Sequence, residues 1–207
     1  MDEEIIEYYQ NQIDALDAPP KKKPAWKRTL KIIIAAALVI GIMTSFPPIT
    51  LHTTSLKLYP YFKGYAERYH NIHQPDWYPD FKGDVQSDFR FDYIPSIMQG
   101  TGHWTVRFST SPETAAGYAE QFGGARYEFD LSQYDDSVNV SVEDLGYDAP
   151  PEGEDIITID FDRDFWKGHE DTARVYVIDA VLNWNHPHSS AVIVDEAAGM
   201  VELSQLG

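Results

Sequence analysis

The chain has 207 residues, of which 33 are Asp or Glu and 16 are Lys or Arg, and it contains no cysteine. A formal net charge of −17 argues against binding to nucleic acid, whose phosphates require clustered Lys and Arg. The lack of cysteine excludes disulfides, thiolate metal sites and a cysteine nucleophile. The aromatic content of 14% is sufficient for a packed core, which is typical of a folded domain.

The first segment, residues 1–20, is predicted to be a short cytoplasmic arm with an amphipathic helix. Its apolar stripe, spaced by three and four residues, consists of Ile5, Tyr9, Ile13 and Leu16. Such a stripe can dock on a cytoplasmic partner protein. A frayed tail is the alternative, because isolated helices this short are marginal in water. Residues 21–29 follow as a basic juxtamembrane linker.

Residues 30–46 are predicted to form a single transmembrane helix. Ile32–Met43 is an unbroken run of aliphatic and small residues, and the two prolines after Phe46 end the helix. A cleaved signal peptide is the alternative, but the long preceding region and the missing small-residue cleavage pattern favour a retained signal anchor. The lipid bilayer is therefore the expected partner of Leu30–Phe46.

The distribution of cations predicts the orientation of this segment. Six Lys and Arg residues lie within the first 31 positions, whereas Lys57 and Lys63 are the only ones soon after the apolar run. The positive-inside rule places the N-terminus in the cytoplasm and the C-terminal domain outside the cell membrane. The first 31 residues also hold six acids, so the remainder carries the entire negative excess.

After a predicted stalk over residues 47–59, residues 60–207 are predicted to form an acidic extracytoplasmic α+β domain. A helix is expected from about residue 60 to 71, because Pro60 suits a first helical turn. Alternating apolar residues then predict strands from Asp88 and over 103–110. Ser111 is a typical helix N-cap before Pro112, and a Gly-Gly pair at 123–124 ends that helix.

The rest of the domain is predicted to consist of short strands separated by Gly and Pro clusters. These strands cover about 126–131, 137–143, 156–162, 173–182, 190–195 and 200–204. Consecutive strands with few helices predict an antiparallel sheet with one or two packed helices, and not an alternating parallel fold.

An acidic run resembles the start of a calcium-binding loop. Asp160, Asp162, Asp164 and Asp171 take positions one, three, five and twelve of an EF-hand pattern. The sixth position, however, is Phe165 where a calcium loop needs glycine, and the preceding residues alternate as a strand. No cofactor is therefore expected, and Ca²⁺ bound at these acids remains the alternative to a solvated acidic surface.

Two histidine pairs are candidate metal ligands. They are His70 with His73 and His186 with His188. Zinc takes three or four ligands, so the pairs would need to converge together with one acid. A metal-dependent hydrolase is the function that such a site would support.

The segment from Tyr59 to Tyr93 contains eleven aromatic residues. Most of them are expected in the core, where each buries a large area. Trp77 and Tyr78 stand between two prolines, so they are expected in an exposed loop. Exposed aromatic faces beside carboxylates can stack on sugar rings or grip peptides.

Together these features favour a binding protein over an enzyme, because the chain has neither a nucleophile elbow nor a phosphate-binding loop. The preferred hypothesis is a single-pass membrane protein of the cell envelope whose outer domain binds a partner protein or a wall or glycan surface. One alternative is a membrane-tethered regulator that couples this domain to a cytoplasmic partner through residues 3–16. The metal-dependent hydrolase is the other.

Overall fold

The computed structural model describes residues 7–8, 10–12, 25–45, 50–70, 76–96, 102–134, 139–148, 155–182 and 187–207. The chain divides into two compact units, Met1–Pro47 and Pro48–Gly207. The first unit contains helix α1, Ala25–Ser45. Aliphatic side chains of α1 that are exposed by 46–62% are Leu30, Ile32, Ile33, Ile34 and Leu38.

The prediction of a transmembrane helix over residues 30–46 was wrong. Within the residues described, no helix combines the length and the apolar character that crossing a bilayer requires. Helix α1 carries three cationic residues in its first two turns, so its charge-free part begins only at Ile32 and ends at Ser45. That part is roughly 21 Å long at 1.5 Å per residue, whereas the hydrocarbon core of a bilayer is about 30 Å thick. The predicted single-pass topology, signal anchor and cell-membrane localisation were wrong for the same reason.

The second unit is built on a seven-stranded antiparallel sheet with the strand order β1-β2-β3-β9-β8-β7-β4, while β5 and β6 form a separate pair. The strands are β1 (Leu51–Thr53), β2 (Ser87–Ile94), β3 (His103–Ser109), β4 (Tyr127–Asp130), β5 (Asn139–Ser141), β6 (Ile156–Thr158), β7 (Arg174–Val181), β8 (His188–Asp195) and β9 (Met200–Leu206). The helices of this unit are α2 (Tyr59–His70), α3 (Pro112–Phe122) and α4 (Arg163–Trp166). This mostly antiparallel sheet with a few helices agrees with that part of the predicted fold class.

One face of the sheet is covered by α2 and α3 over an aromatic core. Phe91 and Trp104 pack edge to face with ring centroids 4.9 Å apart, and Tyr59 of α2 contacts the ring of Phe91 at 5.3 Å. Phe122 of α3 closes the same core. Burial of each such aromatic side chain stabilises the fold by roughly 2–3 kcal/mol, so this face anchors the first three strands.

The opposite face is apolar over only part of its width. On β4, β7 and β8 it is covered by the β5–β6 pair and by α4, with Trp166 fully buried among Ile157, Val175 and Ile193. On β2 and β3 the same face carries mainly polar side chains, because the apolar residues of these strands other than Ile94 point to the helical side. A polar strip is therefore left beside the segment that follows β6.

Local signals explain where helix α3 begins. The Ser111 hydroxyl accepts a hydrogen bond from the backbone N–H of Thr114, and Pro112 occupies the first turn. By contrast, residues 47–59, predicted to be a stalk, contain strand β1, in which Leu51 pairs with Tyr93. Three residues are too few for an alternating pattern to predict a strand.

Gly199, in the β8–β9 turn, makes a close backbone contact that connects this hairpin to the end of β3. It has φ +69°, and a Cβ there would overlap the carbonyl oxygen of Thr110, whose N–H donates to the Gly199 carbonyl at 2.7 Å. Gly146 also has a positive φ, +85°, but nothing lies within 4 Å of its Cβ position. A side chain at Gly146 would therefore meet backbone strain alone, whereas one at Gly199 would meet backbone strain and steric overlap.

We expect Gly146→Ala to lower the free energy of unfolding by about 1 kcal/mol, the cost of a left-handed residue. Gly199→Ala should cost a further 1–3 kcal/mol or so, because the methyl group overpacks the turn. Urea denaturation of both variants measures the difference. Equal losses would show that the Thr110 contact is not as close as described.

Candidate functional site

A cleft of about 530 Å³ opens on the polar half of the sheet. Its floor consists of strand residues Arg90, Asp92, His103 and Thr105, and its wall is the segment 160–164, which follows β6. Volumes of this order are typical of small-molecule sites. The cleft is therefore the candidate functional site among the residues described.

Strand alternation places the floor residues. Phe89, Phe91 and Tyr93 of β2 enter the aromatic core, so the intervening Arg90 and Asp92 emerge on the other face. On β3, Trp104 and its apolar neighbours leave His103, Thr105 and Arg107 on that same face by the same rule. Register then pairs Arg90 with Arg107 and Asp92 with Thr105 across the two strands.

Two arginines hold two of the carboxylates in fixed positions. Arg90 Nε lies 2.5 Å from Asp92 Oδ2, and a second bond of 3.1 Å joins the same pair. Arg107 Nε lies 2.7 Å from Asp162 Oδ2, which connects the floor to the wall. The two-point pairing of Arg90 with Asp92 orients these groups more strictly than a lysine could. Asp92 and Asp162 are thus ordered acceptors.

Asp160 differs from these two carboxylates. Its Oδ2 lies 3.0 Å from Nδ1 of His103, and its side chain is 35% exposed. Burial raises the pKa of Asp160; the facing His103 opposes this shift, while the carboxylates of Asp92 and Asp162 add to it. Asp160 is therefore protonated more readily than an exposed aspartate is.

Glu202, in the middle of β9, attaches the wall to the sheet. Its side chain is fully buried, and its two oxygens accept hydrogen bonds from the Asp162 backbone N–H at 2.9 Å and from Trp166 Nε1 at 2.6 Å. Burial raises the pKa of Glu202 to about 8, although both hydrogen bonds favour the ionised form. Arg107, its partner on β3, is the adjacent cation. One carboxyl group thus positions both ends of the segment 162–166.

Thr105 supplies an unused hydrogen-bonding group. Its side chain is only 7% exposed and lines the cleft, and its hydroxyl has no hydrogen-bond partner among the residues described. Because Thr105 lines the cleft, water or a ligand can bond to its hydroxyl. The floor of the cleft therefore carries a polar group that a bound molecule can satisfy.

A second polar cluster lies at the β8–β9 turn. The buried carboxylate of Asp195 accepts bonds from Thr172 Oγ1 at 2.5 Å and from the Ala198 N–H at 2.9 Å, and His169 Nδ1 lies 3.0 Å away. Burial alone would raise the pKa of Asp195, but these hydrogen bonds lower it overall. Since the Thr172 hydroxyl donates to the same carboxylate as His169, this cluster fastens the turn and does not form a nucleophile–base pair.

The structure brings together only some of the residues predicted as metal ligands. Asp160, Asp162 and Asp164 line the cleft, whereas Asp171 is exposed outside it. His70 ends α2 and His188 begins β8. His73 and His186 lie outside the described residues, within which no group of three or more acids and histidines is arranged to hold a metal ion.

The predicted partner-binding residues are placed as follows. Tyr78 is 8% exposed and belongs to the aromatic core, where Trp77 packs edge to face on Phe122 at 6.0 Å. Tyr78 is therefore not available as a surface contact. The arm residues Ile5, Tyr9, Ile13 and Leu16 lie outside the described residues.

The sequence reasoning overlooked most of the floor. His103, Thr105 and Arg107 are the polar members of an alternating strand, and this pattern alone could have assigned them to one face. Glu202 carried a clearer signal, because it is a charged residue that stands directly between the apolar Val201 and Leu203.

Comparisons of the chain with protein-family models, with curated proteins and with solved structures gave no match.

Glu202 predicts a specific dependence of stability on pH. Because folding favours its protonated form, its stabilising contribution is complete below the ordinary pKa of glutamate and is lost as pH rises towards 8. We expect Glu202→Gln, whose side chain cannot ionise, to gain stability relative to the native chain between about pH 5 and pH 8. Denaturant titrations at several pH values measure this difference, with the exposed Glu196→Gln as control. A pH-independent difference would contradict the raised pKa of Glu202.

Proposed function

We propose that this chain is a binding module that takes a glycan in the cleft between β2–β3 and the segment 160–164. The observation that carries the proposal is Thr105, a residue only 7% exposed on the floor, whose hydroxyl opens to the cleft and has no hydrogen-bond partner among the residues described. It lies among carboxylate and guanidinium groups that are already fixed by ion pairs. A ligand with several hydroxyl groups matches such a floor.

The hydrogen-bonding chemistry of sugars supports this assignment. Each sugar hydroxyl can donate and accept at once, so it can donate to a carboxylate such as Asp92 while accepting from a hydroxyl or guanidinium. Because these partners are held in place before binding, little side-chain entropy is lost when the ligand binds. Phe161 and Ile94 add apolar lining for the C–H groups of a sugar ring.

A concave polar cleft suits a small polar ligand better than a protein surface. Energetically dominant contacts between proteins are mainly aromatic or arginine anchors in dry pockets. In this cleft, by contrast, the arginines are paired with carboxylates, and Phe161 is packed against Tyr134 with ring centroids 5.5 Å apart. Binding is favoured over catalysis because Asp92 and Asp162 are tied to guanidinium groups, which hold these carboxylates in place.

The Thr105 hydroxyl provides the test. We expect Thr105→Val, which keeps the shape and removes the hydroxyl, to weaken glycan binding about tenfold, the effect of one lost hydrogen bond. The full-length chain is first screened on an oligosaccharide array, and the best ligand is then titrated by calorimetry.

The matched control is Thr54→Val, because Thr54 is exposed and does not line the cleft. It should bind as the native chain does, and both variants should unfold at about the native temperature. The proposal is refuted if no oligosaccharide binds the native chain, or if Thr105→Val binds with unchanged affinity.

A further inference from the structure

We propose that the ligand of this cleft is a cationic amino sugar, and that its ammonium group binds the carboxylate of Asp160 beside the Thr105 hydroxyl. This inference rests on the proposed glycan-binding function and adds the charge of the ligand and the atoms that recognise it. It follows from three features of the cleft: its excess of carboxylates, the pairing of its arginines and the position of Thr105.

Carboxylates outnumber cations around the cleft. Four aspartates line it, against two arginines: Asp92, Asp160, Asp162 and Asp164 against Arg90 and Arg163. The whole chain, with a net charge of −17, adds to the negative potential. A glycan that carries uronic acid or phosphate groups would therefore be repelled from this cleft.

The arginines in and below the cleft are already engaged, which limits how far they offset this charge for an incoming anion; Arg163 lies over the ring of Phe161 at 5.4 Å. Arg90 makes two bonds to Asp92, and Arg107, beneath the wall, is paired with Asp162. An anionic ligand would have to displace those carboxylates. Asp160, in contrast, contacts the imidazole of His103 and makes no ion pair with Lys or Arg among the residues described. Asp164 also makes no such ion pair but is exposed, so Asp160, which is bonded to the floor residue His103, is the carboxylate that we assign to a ligand cation.

Asp160 and Thr105 lie within reach of one sugar residue. His103 and Thr105 are two positions apart on β3, so they project on the same face about 7 Å apart. Asp160 is bonded to His103 at 3.0 Å, and its 35% exposed side chain lies at the edge of the cleft. The Thr105 hydroxyl, which has no hydrogen-bond partner among the residues described, can bond to a sugar hydroxyl while the adjacent ammonium group contacts Asp160.

The test separates the sugar from its charge. The full-length chain is titrated by calorimetry with four probes: a glucosamine trimer, an N-acetylglucosamine trimer, a galacturonic acid trimer and spermidine. At about pH 6, below the pKa of an amino group, we expect the glucosamine trimer to bind at least about tenfold more tightly than its acetylated form. Galacturonate should not bind, and added salt should reduce the preference for the cation.

Asp160→Asn should abolish this preference. Asp171→Asn is the matched control, because Asp171 is exposed outside the cleft and its substitution changes the net charge equally. This control should retain the full preference. Melting temperatures close to that of the native chain show that both variants are folded.

The possible outcomes distinguish the two proposals. Equal binding of the amino and acetylated trimers, or an undiminished preference in Asp160→Asn, would overturn the cationic ligand and leave the glycan-binding module intact. Binding of spermidine that is lost in Asp160→Asn, without binding of any trimer, would overturn the glycan and leave the cation. Failure of all four probes to bind would overturn both.

Discussion

The cleft depends on one buried carboxyl group. Glu202 lies in the middle of β9, a central strand, and bonds at one oxygen to the backbone of Asp162 and at the other to the indole of Trp166. These bonds hold the segment that carries the wall of the cleft at a fixed distance from the strands that form its floor. Arg107 reinforces the attachment through Asp162. Without this anchor, the polar residues on the two sides would not face each other.

Burying the Glu202 carboxyl group costs free energy, and this cost indicates the role of the residue. Burial of an ionisable carboxyl destabilises a fold unless hydrogen bonds compensate, and well-packed apolar residues are often as stable or more so. Between Val201 and Leu203 of β9, a leucine would pack without this penalty. We infer that Glu202 serves the geometry of the cleft and not the stability of the sheet. The ion pairs on the floor also serve the geometry of the cleft, since they fix acceptors and donors before a ligand binds.

Local physics made several elements predictable from the sequence. The Ser111 cap and Pro112 determine where α3 begins, and alternation of aromatic and polar residues determines β2 and β3, because these signals lie within a few residues of one another. The adjacency of β3 and β9 was not predictable. It joins residues almost a hundred positions apart, such as Val106 and Leu203, and no local pattern encodes that pairing.

Long-range packing likewise limits what the sequence could predict about the site. Asp160, Asp162 and Asp164 were recognised as a cluster, but their spacing suggested calcium because Glu202, His103 and Arg107 reach them only through the folded sheet. Trp77 and Tyr78 were expected on the surface from their flanking prolines, yet Tyr78 is buried and Trp77 packs on Phe122. The apolar run in α1 was interpreted as a membrane span although its charge-free part is too short.

Hydrogen exchange measured by NMR on the full-length chain tests the role of Glu202 most directly. The Asp162 amide lies outside the strands of the sheet and, among the residues described, donates to Glu202 alone; the Trp166 indole N–H donates to the same carboxyl group. The account predicts that both protons exchange as slowly as the amides of β9. Exchange of these two protons at the rate of exposed loop amides would contradict it.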